Sequence, residues 1–539
     1  MLLGSRGGAS AAERLPPDAA ALDQAIQAHV EFLADDLLEG RGTGSPGHEL
    51  AARYVVAQFR QRGLQPGGPS NRWYQTVPLR ESRLVPDSAR VELSSPAGTQ
   101  VLEPHLDYLA SPDFLLTNTA VTAPLVFAGY GVRAPELNHD DLAGIDLNGR
   151  MAVVLAKAPP RFPATALAHH AHPRQKAGIL AARGAVGVIT VPTPKDLEES
   201  PWARQIQQSR FPGMRWVRPD GTPAEVFPSL QASLRVSPQG AGRLFARSPK
   251  PLADTLAAGA RSEVQSFPLH QTATIRLQSE HRGLTSPNVI GILPGSDPRL
   301  AGESVVLTAH LDHVGRGPEV NGDSIYNGAY DNALGVALLI ETAGRLARDG
   351  RRPRRTVVFA AVTGEEKGLR GAEYLAEHLP PAVGRPVANI NLDMVLLGAP
   401  SRRLTLLGIE HSSLRQPVEA AARRFGLELV PDPRPDRVVF VRSDQYAFIR
   451  TGVPAIFPKV ADSPGAGVPA GALTVDAYLR QHYHQPSDDT SLPRDAASTV
   501  RFARFISDVT LRVANAAQRP RWNPGDFFGE TFGGNPGLR

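Results

Sequence analysis

The sequence predicts an α/β fold with a mostly parallel central sheet. From about Ser286 onward, apolar β-branched runs alternate with segments of helical periodicity, the pattern of strands joined by helices. These runs are almost continuously apolar, which indicates strands buried on both faces of the sheet. Several of them end abruptly in acidic residues or histidines. Open α/β sheets place their ligands at this edge, so we expect the functional site there.

Two helices are predicted near the amino terminus. Asp18–Leu38 has an apolar stripe at helical spacing and a plausible N-cap in Asp18. Glu49–Gly63 has a similar pattern and is closed by Gly63. Neither segment carries obvious chemistry, so both are interpreted as core-packing helices.

The segment from Ser82 to Pro268 has a different pattern of apolar and turn-forming residues. Short strand-like runs are separated by Pro, Gly and Asp/Asn turns, and a single helix is predicted among them at Arg174–Arg183. This pattern predicts a compact, strand-rich insert of about 170–190 residues. It contains the run AHHAHP, whose His169, His170 and His172 we interpret as part of an exposed loop, because no carboxylate accompanies them at a spacing useful for a metal.

The alternating pattern then continues to the end of the chain. The predicted elements are strands at Ser304–Ala309, Arg355–Val362, Val387–Leu392, Arg402–Ile409 and Pro454–Pro458, and helices at Asn332–Arg348, Lys367–Leu379, Ser412–Phe425, Asp444–Thr451 and Ala496–Ala516.

These elements lead to five predicted segments. Residues 1–17 are a disordered or leader remnant, 18–81 begin the main domain, and 82–268 are the insert. Residues 269–519 complete the main domain, and 520–539 form an extended carboxy-terminal arm.

Composition excludes several classes of protein. The 539-residue chain has no Cys, which excludes disulfide scaffolds, Cys-ligated zinc and a Cys nucleophile. Its net charge of +5 is mild and its arginines are scattered, so we expect no nucleic-acid partner. No apolar run is long enough to span a membrane. The absence of Cys suits an extracytoplasmic location, periplasmic or secreted, although no complete signal peptide is present.

The first candidate site residues follow the strand at Ser304–Ala309. His310 and Asp312 alternate with Leu311, so both side chains can point to the same side. Asp331 begins the helix that follows, where an N-cap role is the ordinary explanation. A two-metal site needs imidazoles, carboxylates and one carboxylate shared between the ions, and these residue types are all present.

Two further strands end in carboxylates. Glu365 and Glu366 follow an apolar strand, and adjacent carboxylates repel each other unless a cation or a raised pKa relieves them. Asp393 lies among apolar neighbours, so its ionised form needs a metal or an ion-pair partner. A further histidine is needed to complete the set. His484 in YHQPSDD is the candidate, with His482 as its competitor.

The motifs HLDH, NGAYDNALG, TGEEKGLRGAEYL, NLDM and YHQPSDD resemble, in order and spacing, the bacterial leucyl-aminopeptidase-like di-zinc exopeptidases, metallopeptidase family twenty-eight. The resemblance implies a three-layer zinc-exopeptidase fold. Residues 82–268 also resemble, through FAGYGVRAPELNHDDLAGIDLNGR and AARGAVGVITV, the protease-associated (PA) domain that many members carry as an insertion. One departure is Gln445, which stands where many members have His after Ser-Asp.

The resemblance implies two co-catalytic Zn²⁺ ions and a role for each candidate residue. Asp331 would bridge the ions, and His310 and Asp393 would complete one site. Glu366 and His484 would complete the other. Glu365 would be the general base that manages the proton of a metal-activated water, and Asp312 would orient His310.

The function implied is that of a zinc exopeptidase, an aminopeptidase that removes N-terminal residues from peptide substrates. Three alternatives stay open at this point. They are a carboxypeptidase or dipeptidase, a glutaminyl-cyclase-like enzyme of the same fold, and a receptor-like binding protein without activity. The sequence leaves the oligomeric state open between monomer and dimer.

Overall fold

The computed structural model describes residues 15–348, 350, 352–461 and 472–534. Most of the predicted leader remnant (1–17) and the last five residues of the predicted arm lie outside these ranges. Among the described residues, no helix is both long and apolar enough to cross a membrane.

The helices are short to medium in length and are distributed along the whole chain. They are α1 Pro17–Leu33, α2 Pro46–Gln61, α3 Ala164–Ala171, α4 Pro173–Ala182, α5 Pro194–Glu199, α6 Trp202–Ser209, α7 Pro238–Leu244, α8 Leu252–Ala260, α9 Leu334–Arg348, α10 Arg370–Glu377, α11 Arg415–Phe425, α12 Gln445–Arg450, α13 Val475–Gln481, α14 Ala496–Asn515 and α15 Phe527–Phe532.

The strands fall into two large groups and a few small pairs. They are β1 Gln65–Pro66, β2 Tyr74–Leu84, β3 Arg90–Ser95, β4 Gly98–Leu102, β5 Tyr108–Ala110, β6 Asn118–Phe127, β7 Arg133–Ala134, β8 His139–Asp140, β9 Met151–Leu155, β10 Gly187–Val191, β11 Gly213–Trp216, β12 Ala232–Val236, β13 Phe267–Leu293, β14 Glu303–His310, β15 Gly315–Val320, β16 Asp323–Tyr326, β17 Thr356–Val362, β18 Arg385–Asn391, β19 Arg403–Leu407, β20 Glu428–Leu429 and β21 Ala455–Val460.

The main sheet has four parallel strands at its centre. β17 pairs in parallel with β14, β14 with β18, and β18 with β21. Antiparallel strands extend the sheet at both ends, with β13, β2 and β11 beyond β17 and with β19 beyond β21. This mostly parallel centre confirms the predicted fold class.

Helices cover both faces of this sheet. Along β14, Val305 and Leu307 pack with α1, α2, α9 and α14 in one core, whereas Val306 packs with α10 and α12 in a second core on the opposite face. Successive side chains of a strand point to opposite faces, and both faces are buried here. This explains why the strand sequences are continuously apolar and gives the three layers that the resemblance implies.

Residues 90–277 include a second sheet with its own core. β6, β9, β10 and β12 pair in parallel, and the first half of β13 pairs with β3 and β6. A separate hydrophobic cluster lies on this sheet and includes Phe127, Val153 and Leu234. Because β13 runs unbroken from Phe267 to Leu293, one strand belongs to both sheets. The predicted domain boundaries, including the PA-like insert at 82–268, stay predictions.

The prediction of a single helix in this segment is wrong, since α3 and α5–α8 lie there in addition to α4. These helices are six to nine residues long, too short for their periodicity to stand out from turn signals. The expected exposed loop at AHHAHP is wrong as well. His169 and His170 lie in α3 and are 8% and 6% exposed.

The reason for this burial is contact with the carboxy-terminal segment. The His169 ring packs edge-on against Phe527 and Phe532, and its Nδ1 lies 3.2 Å from the Tyr446 hydroxyl. Burial also lowers the pKa of His169 to about 4, so its imidazole is neutral. The segment predicted as an extended arm therefore contains a helix, α15, whose Phe528 is fully buried.

Candidate metal centre

Three neighbouring parallel strands bring the candidate residues to one edge of the main sheet. β14 ends at His310, β17 is followed within four residues by Glu365 and Glu366, and β18 is followed by Asp393. Because β17, β14 and β18 are adjacent and parallel, their carboxyl ends lie side by side. Non-local pairing of strands therefore assembles residues that are up to 83 positions apart.

The first cluster consists of His310, Asp331 and Asp393, all buried. His310 Nε2 lies 3.1 Å from Asp331 Oδ1 and 3.3 Å from Asp393 Oδ1. The three ligand atoms lie within 4.8 Å of one another, so they could hold one metal ion. Ser443 donates a 2.6 Å hydrogen bond to Asp393 Oδ2, which leaves Oδ1 directed toward His310.

The second cluster shares Asp331 with the first. His484 Nε2 lies 3.3 Å from Asp331 Oδ2 and 3.0 Å from Glu366 Oε2. Asp331 thus directs Oδ1 to one cluster and Oδ2 to the other, as a carboxylate that bridges two ions does. His482 points elsewhere, with its Nδ1 2.9 Å from the Ser487 hydroxyl. Of the two candidate histidines, the structure brings only His484 to the cluster.

His313 is a member of the second cluster that sequence reasoning missed. It has no exposed surface, and its Nδ1 lies 2.8 Å from Glu366 Oε1 and 4.0 Å from Asp331 Oδ2. With Asp331 and Glu366 it forms a second group able to hold a metal ion. The available signal was the second His of HLDH, three residues after His310.

The position of His313 depends on a glycine. Gly328 has a φ of +65°, and a Cβ there would lie 2.5 Å from the Cγ of His313. His313 Nδ1 and Glu366 Oε1 lie 2.8 Å apart but not at a hydrogen-bonding angle, and neither these two atoms nor His313 Nε2 make a hydrogen bond of good geometry among the described residues. A buried polar atom without a hydrogen-bond partner destabilises the folded state. A bound cation beside these donor atoms would remove that penalty, so the residues fit a metal.

Asp312 does not form the usual carboxylate–histidine hydrogen bond with His310. Its backbone carbonyl oxygen, not its carboxylate, lies 3.0 Å from His310 Nδ1. The carboxylate accepts hydrogen bonds from the backbone N–H of Glu365 at 3.1 Å and from the Thr43 hydroxyl at 2.8 Å. Asp312 therefore links the two strand ends that carry His310 and Glu365.

Glu365 belongs to neither cluster but lies beside both. Burial raises the pKa of its carboxyl group well above the usual range, and nearby Asp393 and Glu366 raise it further against the opposing effect of His310. By contrast, the pKa of Glu366 is lowered, because His484 and His313 outweigh the effect of its burial. Adjacent glutamates are thus driven toward different protonation states, the arrangement expected of one proton carrier and one ligand.

Asp488 is a second residue that the sequence did not single out. It is fully buried and accepts hydrogen bonds from the backbone N–H groups of Tyr330 and Asp331, at 3.0 and 3.1 Å. The Tyr478 hydroxyl donates a third, at 2.8 Å. Asp488 therefore holds the loop that carries Asp331, and burial raises its own pKa to about 6.

Gln445, the departure from the family pattern, lies next to the site but has an internal role. Its Oε1 accepts a 2.8 Å hydrogen bond from Asn391, and its Nε2 donates to the Phe440 carbonyl oxygen at 2.7 Å. It is fully buried and contributes no free group to the clusters.

This fold and these clusters define an α/β protein with a buried carboxylate–imidazole site suited to two metal ions. Residues 288–510 match the model of peptidase family M28. The match includes His310, Asp331, Glu366, Asp393 and His484.

Parts of the chain are also similar in sequence to known proteins. The leupeptin-inactivating enzyme 1 of Streptomyces exfoliatus is 34% identical over 121 residues, which are 22% of this chain and 24% of that protein. A protein of Pyrenophora tritici-repentis with the name "Probable zinc metalloprotease" is 35% identical over 134 residues, 23% of this chain and 26% of its own length. The chain thus matches only about a quarter of the length of these relatives.

A solved structure supports the fold over nearly the whole chain. The aminopeptidase from Aneurinibacillus sp. strain AM-1 superposes with a TM-score of 0.52 and 21% identity, covering 93% of this chain and 94% of that one. At this identity the likeness concerns the fold alone.

Proposed function

We propose that this protein is a zinc-dependent exopeptidase that removes N-terminal residues from peptides. The observation that carries the proposal is Asp331, whose two carboxylate oxygens face two separate clusters of ligand residues. His310 and Asp393 would hold one zinc ion with Asp331, and Glu366 and His484 would hold the other. Two such ions would lower the pKa of a water molecule toward neutrality and stabilise the negative charge developing on the scissile carbonyl oxygen.

Glu365 is the residue of the chain that moves the proton. Its raised pKa makes the carboxylate a stronger base, able to take a proton from water and to return it to the leaving amine. Asp312 fixes the position of Glu365 through the backbone N–H, and Thr43 fixes Asp312. No residue of the chain needs to form a covalent intermediate with the substrate.

The aminopeptidase function makes a direct prediction. The zinc-loaded protein should release the chromophore from an aminoacyl p-nitroanilide with a free α-amine, and a chelator should abolish this activity until zinc is restored. The same substrate with a blocked amine is the control and should not be cleaved.

Other results would point to the alternatives. Cleavage of N-blocked peptides, but not of C-amidated ones, would favour a carboxypeptidase. Cyclisation of N-terminal glutamine would favour a glutaminyl-cyclase-like enzyme. If the zinc-loaded protein acts on none of these substrates, the enzymatic proposal is wrong and a receptor-like binding protein takes its place.

The two histidines of YHQPSDD provide a matched pair of variants. His484→Ala should weaken zinc binding at the second cluster by about 10–100-fold or more, because a direct ligand matters at least as much as an outer-shell partner. His482→Ala should leave zinc binding unchanged, since the His482 ring contacts Ser487 and Tyr478 and no metal-ligand candidate. Metal content after dialysis against a weak chelator would separate them, and equal loss in both variants would contradict the assignment of His484.

A further inference from the structure

Helix α6, outside the main sheet, contacts the segment that carries His484. Arg204 of α6 donates a 2.9 Å hydrogen bond from Nη2 to the backbone carbonyl oxygen of Tyr483, and a 3.4 Å hydrogen bond from Nη1 to that of Leu479. Its guanidinium carbon also lies 5.2 Å from the centre of the Tyr483 ring, the geometry of a cation–π contact. One side chain therefore contacts both the backbone and the ring of the residue before His484.

The carbonyl groups that Arg204 contacts need an external partner. Leu479 lies in the last turn of α13, and Tyr483 lies just beyond its end. The final carbonyl groups of a helix lack intrahelical donors and carry partial negative charge, so a cation stabilises them. Arg204 supplies this cation from a position nearly 280 residues earlier in the chain.

His484 has a backbone conformation that its surroundings must maintain. Its φ is +55°, in the left-handed region that disfavours residues other than glycine. The Tyr483 carbonyl belongs to the peptide unit that joins Tyr483 to His484, so holding that carbonyl restricts φ of His484. The two rings also lie close, with centroids 3.9 Å apart and planes inclined by 31°.

The segment after α6 contacts the other ligand-bearing loop as well. The Phe211 ring lies 5.5 Å from the Nζ atom of Lys367, the residue directly after Glu366. Phe211 also packs edge-on against Tyr326, with ring centroids 6.0 Å apart. The same short stretch therefore borders the loops that carry Glu366 and His484, two residues of the second cluster.

We propose that Arg204 is a positioning residue for His484, through which α6 holds the second metal site in a binding-competent geometry. The chain of contacts runs from the guanidinium to the Tyr483 carbonyl and ring, and from there to the His484 backbone and imidazole. The inference rests on the proposed function for its effect on turnover, whereas its effect on metal binding can be measured independently.

The test compares Arg204→Met with Arg204→Lys, using Arg210→Met as the control. Arg210 lies at the end of the same helix, is exposed, and makes no side-chain hydrogen bond, ion pair or ring contact within the described residues. Arg204 is itself partly exposed, so its replacement should not prevent folding, and thermal melting of the metal-free proteins checks this.

In Arg204→Met, the affinity for the zinc ion at the second cluster should fall by about 10–100-fold, the usual effect of losing an outer-shell partner. The value of kcat for an aminoacyl p-nitroanilide, measured at subsaturating zinc, should fall in parallel while KM changes little. Arg204→Lys should recover part of both losses, because an ammonium can bind one carbonyl but cannot stack as a planar guanidinium. Arg210→Met should match the unmodified protein.

Wild-type zinc affinity in Arg204→Met would overturn the inference, as would a raised KM with unchanged zinc affinity, which would make Arg204 a substrate contact. If the zinc-loaded unmodified protein cleaves no peptide substrate, the proposed function fails. The zinc titration would then still decide whether Arg204 positions His484.

Discussion

Glu365→Gln should reduce turnover by about 10²–10⁴-fold, the usual contribution of a general acid–base group, while both metal ions remain bound. Glutamine has nearly the same shape as glutamate but cannot accept and return a proton. The Glu365 side chain belongs to neither ligand cluster, and its backbone N–H bond to Asp312 does not depend on the side chain. We therefore expect a loss of kcat without a loss of metal, measured by steady-state kinetics and by metal content of the same sample.

The control for this experiment is Glu319→Gln. Glu319 is exposed in β15, so its neutralisation should alter neither turnover nor metal content. If Glu365→Gln keeps more than about a tenth of wild-type turnover, the assignment of Glu365 as general base is wrong. The loss of rate would then be smaller than the roughly 10²–10⁴-fold that a general base usually contributes. If the variant instead loses a metal ion, Glu365 acts as a ligand.

Asp331→Ala should have the largest effect on metal binding. One carboxylate oxygen faces His310 and the other faces His484, so the substitution removes a ligand from both positions at once. We expect the affinity for both ions to fall by at least about 100-fold, the upper range for outer-shell losses, and turnover to fall to background. Chelator-competition titration of zinc would measure both affinities.

Asp393→Ala provides the matched comparison, because Asp393 belongs to the first cluster only. This variant should lose one ion and retain the other. If Asp331→Ala also loses just one ion, Asp331 does not bridge the two positions. Two tightly held ions in Asp331→Ala would exclude it as a ligand altogether.

Many of the helices and strands could be predicted from local sequence. The helix expected at Arg174–Arg183 is α4, Pro173–Ala182, and the one expected at Ala496–Ala516 is α14, Ala496–Asn515. A regular spacing of apolar residues and an N-cap residue such as Asp495 are features of the local sequence, and the folded chain keeps the helix that they predict. By the same reasoning, strands that end in charged residues predicted which edge of the sheet carries the site.

Residues that act through long-range contacts could not be predicted in the same way. Thr43 reaches Asp312 across 269 positions, and Asp488 reaches the backbone of Asp331 across 157. The buried state of His169 likewise depends on aromatic residues more than 350 positions away. The sequence pattern of a short segment does not indicate such pairs, because these contacts form only when distant helices and strands pack together.

The sequence by itself determined the α/β class, the parallel strands and the side chains able to bind metal at their ends. Only the tertiary structure decided that Asp331 faces two clusters, that His484 and not His482 joins it, and that His313 lies beside Glu366. It alone also placed Arg204 on the segment that carries His484. The physical reason is that side-chain chemistry and hydrophobic period are local properties, whereas the distances that make a site are set by how distant strands and helices pack.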